Sequence, residues 1–246
     1  EVDEEARRGA ERNHTATHLL HAALREVLGE HVVQRGSLVA PDRLRFDFAH
    51  TAPMTPEERE RVEGMVNEEV WADHPVQVDH RSYDEAVSGG AMALFGEKYG
   101  DVVRVVEIPG VSTELCGGTH VRHTGEIGLV RVVGESGVAA GVRRIEALTG
   151  RAAYRYLREQ ERQLEEAARV LRTRPDNLRH RARQVLEEKD ELEGLLEELR
   201  REGGSGETEV HATDLARAEG GEAVYRGVRL RARDAGDARS WGDAFL

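Results

Sequence analysis

The spacing of apolar residues predicts two helices in the first half of the chain. An amphipathic stripe predicts a helix over residues 13–29, with Asn13 as its N-cap and Gly29 just past its last turn. A capping box at Thr55–Glu58, with proline at the first helical position, predicts a second helix that ends near Asp73.

Alternating apolar and polar residues predict strands around these helices. The predicted strands cover residues 31–40, 43–48, 76–80, 102–108, 127–134 and 142–148. Pro41-Asp42 predicts a hairpin turn between the first two strands, and Ser88-Gly-Gly-Ala91 predicts another turn. This interleaving predicts an α+β fold for residues 1–150, with a mostly antiparallel sheet and packed helices.

The pattern changes after Gly150, where charge rises and apolar residues recur in a 4-3 spacing. The spacing breaks at residues 173–177 and resumes until a glycine-rich segment begins at Gly203. We therefore predict a helical hairpin or antiparallel coiled coil over residues 151–202. Residues 203–246 hold few apolar groups and are expected to be the incomplete beginning of a C-terminal globular domain.

The composition limits the kinds of protein to which the chain can belong. No apolar run in the 246 residues approaches the roughly 18 that a membrane span needs, and the sequence starts at Glu1 rather than Met. We expect a piece of a longer cytoplasmic protein. The single cysteine excludes an internal disulfide and fits a reducing compartment.

The charge of the chain argues against a nucleic-acid partner when it is taken as a sum. There are 47 acidic and 35 basic side chains, which gives a formal net charge of −12. The distribution is uneven, because residues 169–183 contain six arginines and only one aspartate. A local basic surface on an acidic chain is therefore expected.

Two half-motifs bring together side chains that suit a metal. His14 and His18 lie one helical turn apart and project from the same helix face, about 6 Å from each other. Both imidazoles can therefore reach one cation. Cys116 and His120 lie four residues apart in a glycine-rich loop. Three imidazoles and one thiolate suit tetrahedral zinc, so we predict one Zn²⁺ per chain.

Other interpretations of these residues stay open. A zinc peptidase uses His-Glu-x-x-His with the glutamate as general base, and here Thr15 takes that place. A purely structural zinc is a stronger alternative, because four protein ligands leave no position for water. Cys116 as a nucleophile is weaker, since its spacing to His120 favours shared ligation. His21 is expected to be an ordinary exposed or packed histidine.

Several blocks of sequence resemble the editing region of alanyl-tRNA synthetase, in the right order from about residue 10 to 150. The blocks are residues 13–24 (NHTATHLLHAAL), 34–39 (QRGSLV), 43–48 (RLRFDF), 93–98 (ALFGEK), 114–120 (ELCGGTH) and 139–147 (AAGVRRIEA). Freestanding alanyl-tRNA editing proteins and the editing domain of threonyl-tRNA synthetase share the two histidine motifs. The last block is more similar to the alanyl enzyme.

The resemblance implies a deacylase that removes serine or glycine wrongly attached to tRNA for alanine. It implies His14, His18, Cys116 and His120 as the zinc ligands and Gln34 as a pocket residue. An editing site must refuse alanine, and a polar group that pairs with the serine hydroxyl would do so. Thr15, Thr17 and Gln34 are the candidates for such a catalytic or selecting role.

Contacts with the tRNA are expected at two further places. Arg143 and Arg144 are predicted to meet the terminal adenosine or its phosphates, and Gly89 and Gly90 to approach the tRNA end. An outward-facing arginine and an ordinary turn are the alternatives. The expected partner is the acceptor end of tRNA for alanine, with no membrane and no DNA, and with a homodimer through the helical or C-terminal region.

The resemblance leaves three possible functions open. The first is cis-editing as part of a synthetase, the second a zinc-stabilised tRNA-binding module without activity, and the third a freestanding trans-editing deacylase. The adenylate-forming part of the parent enzyme is not among the matching blocks, so we do not expect this chain to charge tRNA.

Overall fold

The computed structural model describes residues 2–93 and 99–203, with side chains as far as residue 198. The chain divides into two compact units between residues 163 and 164. The helices of the first unit are α1 (Glu4–Leu28), α2 (Pro56–Trp71) and α3 (Tyr83–Ser88). Its strands are β1 (Gln34–Val39), β2 (Leu44–Ala49), β3 (Gln77–Ser82), β4 (Val102–Ile108), β5 (Ser112–Leu115), β6 (Val130–Ala139) and β7 (Val142–Thr149). The predicted α+β class is confirmed.

The strands form two antiparallel sheets rather than a single one. The first sheet has the order β1-β2-β7-β6 and the second the order β3-β4-β5. The hairpin predicted at Pro41-Asp42 is confirmed, with Val39 paired to Leu44. The sequence patterns missed α3 and β5, because elements of six and four residues are too short to show a period.

Helix α1 begins earlier than predicted, so the assignment of Asn13 as its N-cap is wrong. Asp3 is the N-cap, and its carboxylate accepts from the backbone N–H groups of Glu5 and Ala6. Glutamates in the first turn add a favourable interaction with the helix dipole. The end of the helix is as predicted, since Gly29 adopts a φ of 113° that favours glycine.

Asn13 instead ties α1 to the first sheet. Its side chain is 1% exposed, and its Nδ2 donates to the carbonyl oxygen of Ala40 at 2.6 Å. The hydroxyl of Thr149 donates to Asn13 Oδ1 at 2.7 Å. One buried amide therefore connects the helix both to the residue after β1 and to the end of β7.

The main core lies between α1, α2 and the first sheet. Its largest fully buried side chains include Leu19, Leu20, Phe46 and Phe48, each no more than 1% exposed. Helix α1 also contacts β5, the strand that leads directly to Cys116. This packing brings the histidines of α1 next to the loop that carries the cysteine.

The second unit continues from α4 (Gly150–Val170), which starts in the first unit, to α5 (Leu178–Gly203). The interruption predicted at residues 173–177 is confirmed, and a short 3-10 helix at Pro175–Asn177 precedes α5. Several leucines of α5 are exposed, among them Leu192 at 61%. The helical hairpin stays a prediction, and residues 204–246, assigned to a C-terminal domain, lie outside the described residues.

Among the described residues, no helix has both the length and the apolar character required to cross a membrane.

Replacement of Asn13 tests the tie between α1 and the sheet. Asn13→Ala removes both hydrogen bonds and leaves buried polar partners unsatisfied, so we expect a loss of about 2 kcal/mol in the free energy of unfolding. Urea denaturation measures this loss. Glu26→Ala, at an exposed position of the same helix, is the control and should change the stability by less than about 0.5 kcal/mol. Equal effects of the two variants would contradict the structural role of Asn13.

Candidate metal centre

Four side chains from α1 and from the loop after β5 converge as the sequence predicts. The ligand atoms of His14, His18, Cys116 and His120 all lie within 4.8 Å of one another. Cys116 Sγ lies 3.4 Å from His14 Nε2 and 3.3 Å from His120 Nε2. Three imidazole nitrogens and one sulfur at these separations can surround a single metal ion, and this donor set suits zinc.

The helix supplies its two histidines on one face, because residues four apart in α1 are neighbours. The ring centroids of His14 and His18 are 5.4 Å apart, and the ring of His120 lies 4.3 Å from that of His14. His18 is buried, whereas the other three side chains are half-buried. The cluster therefore borders the protein surface on one side.

Gly118 makes room for the ring of His14. A Cβ atom at Gly118 would lie 1.9 Å from Cε1 and 2.2 Å from Nδ1 of His14, so no larger residue fits without moving the ring. A Cβ atom at the neighbouring Gly117 would meet nothing within 4 Å. The two glycines of the loop thus differ in importance, and Gly118 is the one that the cluster requires.

Arg104 of β4 holds the loop in place. Its Nη1 donates to the carbonyl oxygens of Cys116 and Gly118, each at 2.7 Å, and the N–H of Cys116 donates to the carbonyl oxygen of Arg104 at 3.0 Å. These bonds fix the backbone between the two loop ligands to the second sheet. Nothing in the spacing of the motifs pointed to Arg104, because the contact joins separate strands.

Thr15 lies behind His120. Its hydroxyl oxygen lies 3.1 Å from His120 Nδ1 and accepts from the N–H of Val121 at 3.2 Å. With Nδ1 of His120 facing Thr15, the opposite ring nitrogen faces the sulfur of Cys116. The residue that replaces the glutamate of a zinc peptidase therefore contacts one of the four candidate ligands.

Glu114 lies behind His18, and sequence reasoning missed it. Its Oε2 lies 3.2 Å from His18 Nδ1 with poor hydrogen-bond geometry, so this contact is mainly electrostatic. His21 Nδ1 forms a hydrogen bond with the other oxygen, Oε1, at 3.3 Å. The available signal was strand alternation, which puts Glu114 on the same side of the chain as Cys116 two residues later.

The protonation states of Cys116 and His120 suit metal binding. Burial alone raises the pKa of the Cys116 thiol, but hydrogen bonds from His120, His14 and His18 outweigh it and lower the pKa to about 3. Burial lowers the pKa of His120 to about 4. At neutral pH the sulfur is a thiolate and His120 is neutral, which are the forms that bind metals.

A positive charge is favoured on the ring of His18 itself. Burial opposes it, yet the carboxylate of Glu114 and the sulfur of Cys116 raise the pKa of His18 to about 10. The pKa of Glu114 lies well below its ordinary range, because the attraction of His18 and its hydrogen bonds outweigh burial. At neutral pH His18 is therefore protonated, so a zinc ion has to displace one of its ring protons in order to bind.

The remaining candidates for catalysis are placed as follows. The hydroxyl of Thr17 donates to the carbonyl oxygen of Asn13 one turn earlier in α1, at 2.8 Å. Gln34 stands at the start of β1, where its amide nitrogen donates to Ser37 Oγ at 3.3 Å. Their catalytic or selecting roles stay predictions.

The predicted tRNA contacts have structural partners of their own. Arg144 makes two hydrogen bonds to the carboxylate of Asp47, at 2.7 and 2.8 Å, and Arg143 donates to Glu135 at 2.5 Å. Gly89 caps α3, and Gly90 follows with a φ of 89°, so the predicted turn is confirmed. Contact of any of these residues with tRNA stays a prediction.

Comparison with known families defines the class of protein. Residues 103–146 match the family described as the threonyl and alanyl tRNA synthetase second additional domain. The matched segment runs from the second residue of β4 through β5, the cysteine loop and β6 into β7. It includes Cys116 and His120, which are two of the four candidate metal ligands.

Matches over most of the chain show which synthetase it resembles. The chain is 52% identical to the alanine–tRNA ligase of Bordetella pertussis over 242 residues, which are 96% of this chain and 26% of that protein. It is 55% identical to the ligase of Halorhodospira halophila over 199 residues, 81% of this chain and 23% of that protein. Over most of its length the chain is therefore similar to alanine–tRNA ligases, and it spans about a quarter of the length of these relatives.

A matched pair of variants tests the close approach of Gly118 to His14. Gly118→Ala should displace the His14 ring and weaken metal binding by about tenfold or more, whereas Gly117→Ala should bind as the unchanged chain does. Competition with a chromophoric zinc chelator measures both affinities. If the two variants bound zinc equally well, the assignment of His14 as a ligand would be in error.

Proposed function

We propose that the chain deacylates tRNA for alanine that carries serine or glycine, as the editing part of an alanyl-tRNA synthetase. The observation that carries this proposal is the convergence of three imidazoles and one thiolate within 4.8 Å in a chain that is similar to alanine–tRNA ligases. One zinc ion, held by His14, His18, Cys116 and His120, is the proposed cofactor.

A physical need for such an activity supports the proposal. A pocket that accepts alanine rejects smaller glycine or near-isosteric serine by only about 10- to 200-fold, which is too little for accurate translation. A second site that hydrolyses the wrong products restores accuracy. The second site must leave alanine attached, so its polar groups have to pair with the serine hydroxyl and remain unsatisfied by alanine.

The proposed reaction adds water to the ester between the amino acid and the terminal ribose. The carbonyl carbon gains the water oxygen, its bond to the ribose oxygen breaks, and a free amino acid and a ribose hydroxyl result. Zinc, when bound, supplies a Lewis acid that can orient the substrate or lower the pKa of a water. Oriented dipoles beside the site would stabilise the negative oxygen that develops in the transition state.

The roles of the surrounding residues are part of the proposal. Thr15 is fully buried and contacts His120, which favours a role in holding that ring. Thr17 and Gln34 are proposed as the polar groups near the amino acid. Arg143 and Arg144 are proposed to meet the terminal adenosine or its phosphates, and Gly89 and Gly90 to lie near the end of the tRNA.

Two alternative functions differ from the proposed one, the first in activity and the second in its independence of a ligase. A zinc-stabilised binding module would bind the acceptor end of tRNA for alanine and release no amino acid. A freestanding trans-editing deacylase would share the chemistry but act without a ligase. Cytoplasmic location and a homodimer formed through the helical or C-terminal region stay predictions.

Loss of a ligand should abolish deacylation. His14→Ala removes one of the four donors, so we expect zinc content and the release of serine from seryl-tRNA for alanine to fall together by at least about tenfold. Radiolabelled serine released over time measures the activity. His80→Ala, at an exposed position on β3, is the control and should retain both.

The same assay separates a deacylase from a binding module. The unchanged chain should release serine and glycine while alanine stays attached. Binding of tRNA without any release would favour the binding module. Full activity of His14→Ala with lowered zinc content would show that the metal is structural or dispensable for the reaction.

A further inference from the structure

The buried carboxylate of Glu114 connects two histidines of α1. Glu114 is 5% exposed, and it faces His18 through Oε2 and His21 through Oε1. His18 and His21 are themselves 5% and 1% exposed. A carboxylate enclosed to this degree needs charged or hydrogen-bonding partners, because an isolated buried charge is costly.

We propose that Glu114 is a positioning residue of the metal centre, which orients His18 without binding the metal itself. His18 turns Nδ1 towards the carboxylate, at 3.2 Å, so Nε2 is the ring nitrogen that is left for a metal ion. A carboxylate that attracts the proton of Nδ1 fixes the tautomer in which Nε2 carries the free lone pair. The lone pair is what a metal ion requires.

The two oxygens of Glu114 have separate partners. Oε1 accepts from Ser112 Oγ at 3.0 Å and bonds to His21 Nδ1 at 3.3 Å. The ring of His21 packs on Phe46, with centroids 5.2 Å apart, so the core holds this histidine. With Oε1 fixed in this way, Oε2 is directed at His18.

Charge balance is the second contribution of Glu114. The four proposed ligands include only one anion, the thiolate of Cys116, so a zinc ion bound to them would keep one positive charge. The nearby carboxylate supplies the other negative charge and makes the buried group neutral as a whole. A neutral group avoids the free-energy cost of an uncompensated buried charge.

Zinc affinity of the complete chain tests this inference, which rests on the proposed zinc site. The unchanged chain is measured first, and failure to bind one Zn²⁺ per chain would contradict the zinc site itself. If it binds, Glu114→Gln should weaken zinc binding by about 10- to 100-fold, since the size is kept and the charge is lost. Glu114→Asp restores the charge and should recover part of the affinity.

Glu107→Gln is the matched control, because it removes a half-buried carboxylate from the adjacent strand β4, where the partner is Arg81. Its zinc affinity should be unchanged. The absorption of bound Co²⁺ reports ligand orientation separately, and Glu114→Gln should alter this spectrum while Glu107→Gln should not. Unchanged affinity of Glu114→Gln, or equal losses in both glutamine variants, would overturn the proposal.

Ser112→Ala provides a milder change if Glu114→Gln does not fold. This variant removes only the hydroxyl that donates to Oε1, and it should weaken zinc binding by about two- to tenfold. An affinity equal to that of the unchanged chain would count against Glu114 as a positioning residue.

Discussion

The metal centre depends on the contact between one face of α1 and the loop that follows β5. Cys116 lies 102 residues after His14, yet its sulfur lies 3.4 Å from the ring of that histidine. Only a rigid scaffold can keep such a separation, because a shift of about 1 Å would move a ligand out of reach of the metal. Asn13 fixes the helix to the first sheet, and Arg104 fixes the loop to the second.

Electrostatics then decides what the assembled side chains can hold. The carboxylate of Glu114 and the sulfur of Cys116 both favour a positive charge on His18. The half-buried position of Cys116 leaves the cluster near the surface, where the proposed substrate, the aminoacyl end of a tRNA, would approach.

The sequence predicted what local patterns encode. The bounds of β4 and the capping box of α2 were predicted correctly, because each depends on neighbouring residues. The start of α1 was misplaced, because Asp3 lies before the apolar stripe that revealed the helix. Residue types, their spacing of four residues and the family resemblance identified the four candidate ligands. Glu114 and Arg104 were missed, since strand alternation gives the side of Glu114 but not its contact with His18, and Arg104 acts through a contact between β4 and the loop after β5.

The central claim is that α1 and the cysteine loop together bind one metal ion through three nitrogens and one sulfur. X-ray absorption at the zinc edge of the metal-loaded chain tests it most directly. We expect one sulfur at about 2.3 Å and nitrogen ligands at about 2.0 to 2.1 Å from the metal. A spectrum without a sulfur contribution, or one dominated by oxygen ligands, would contradict the claim.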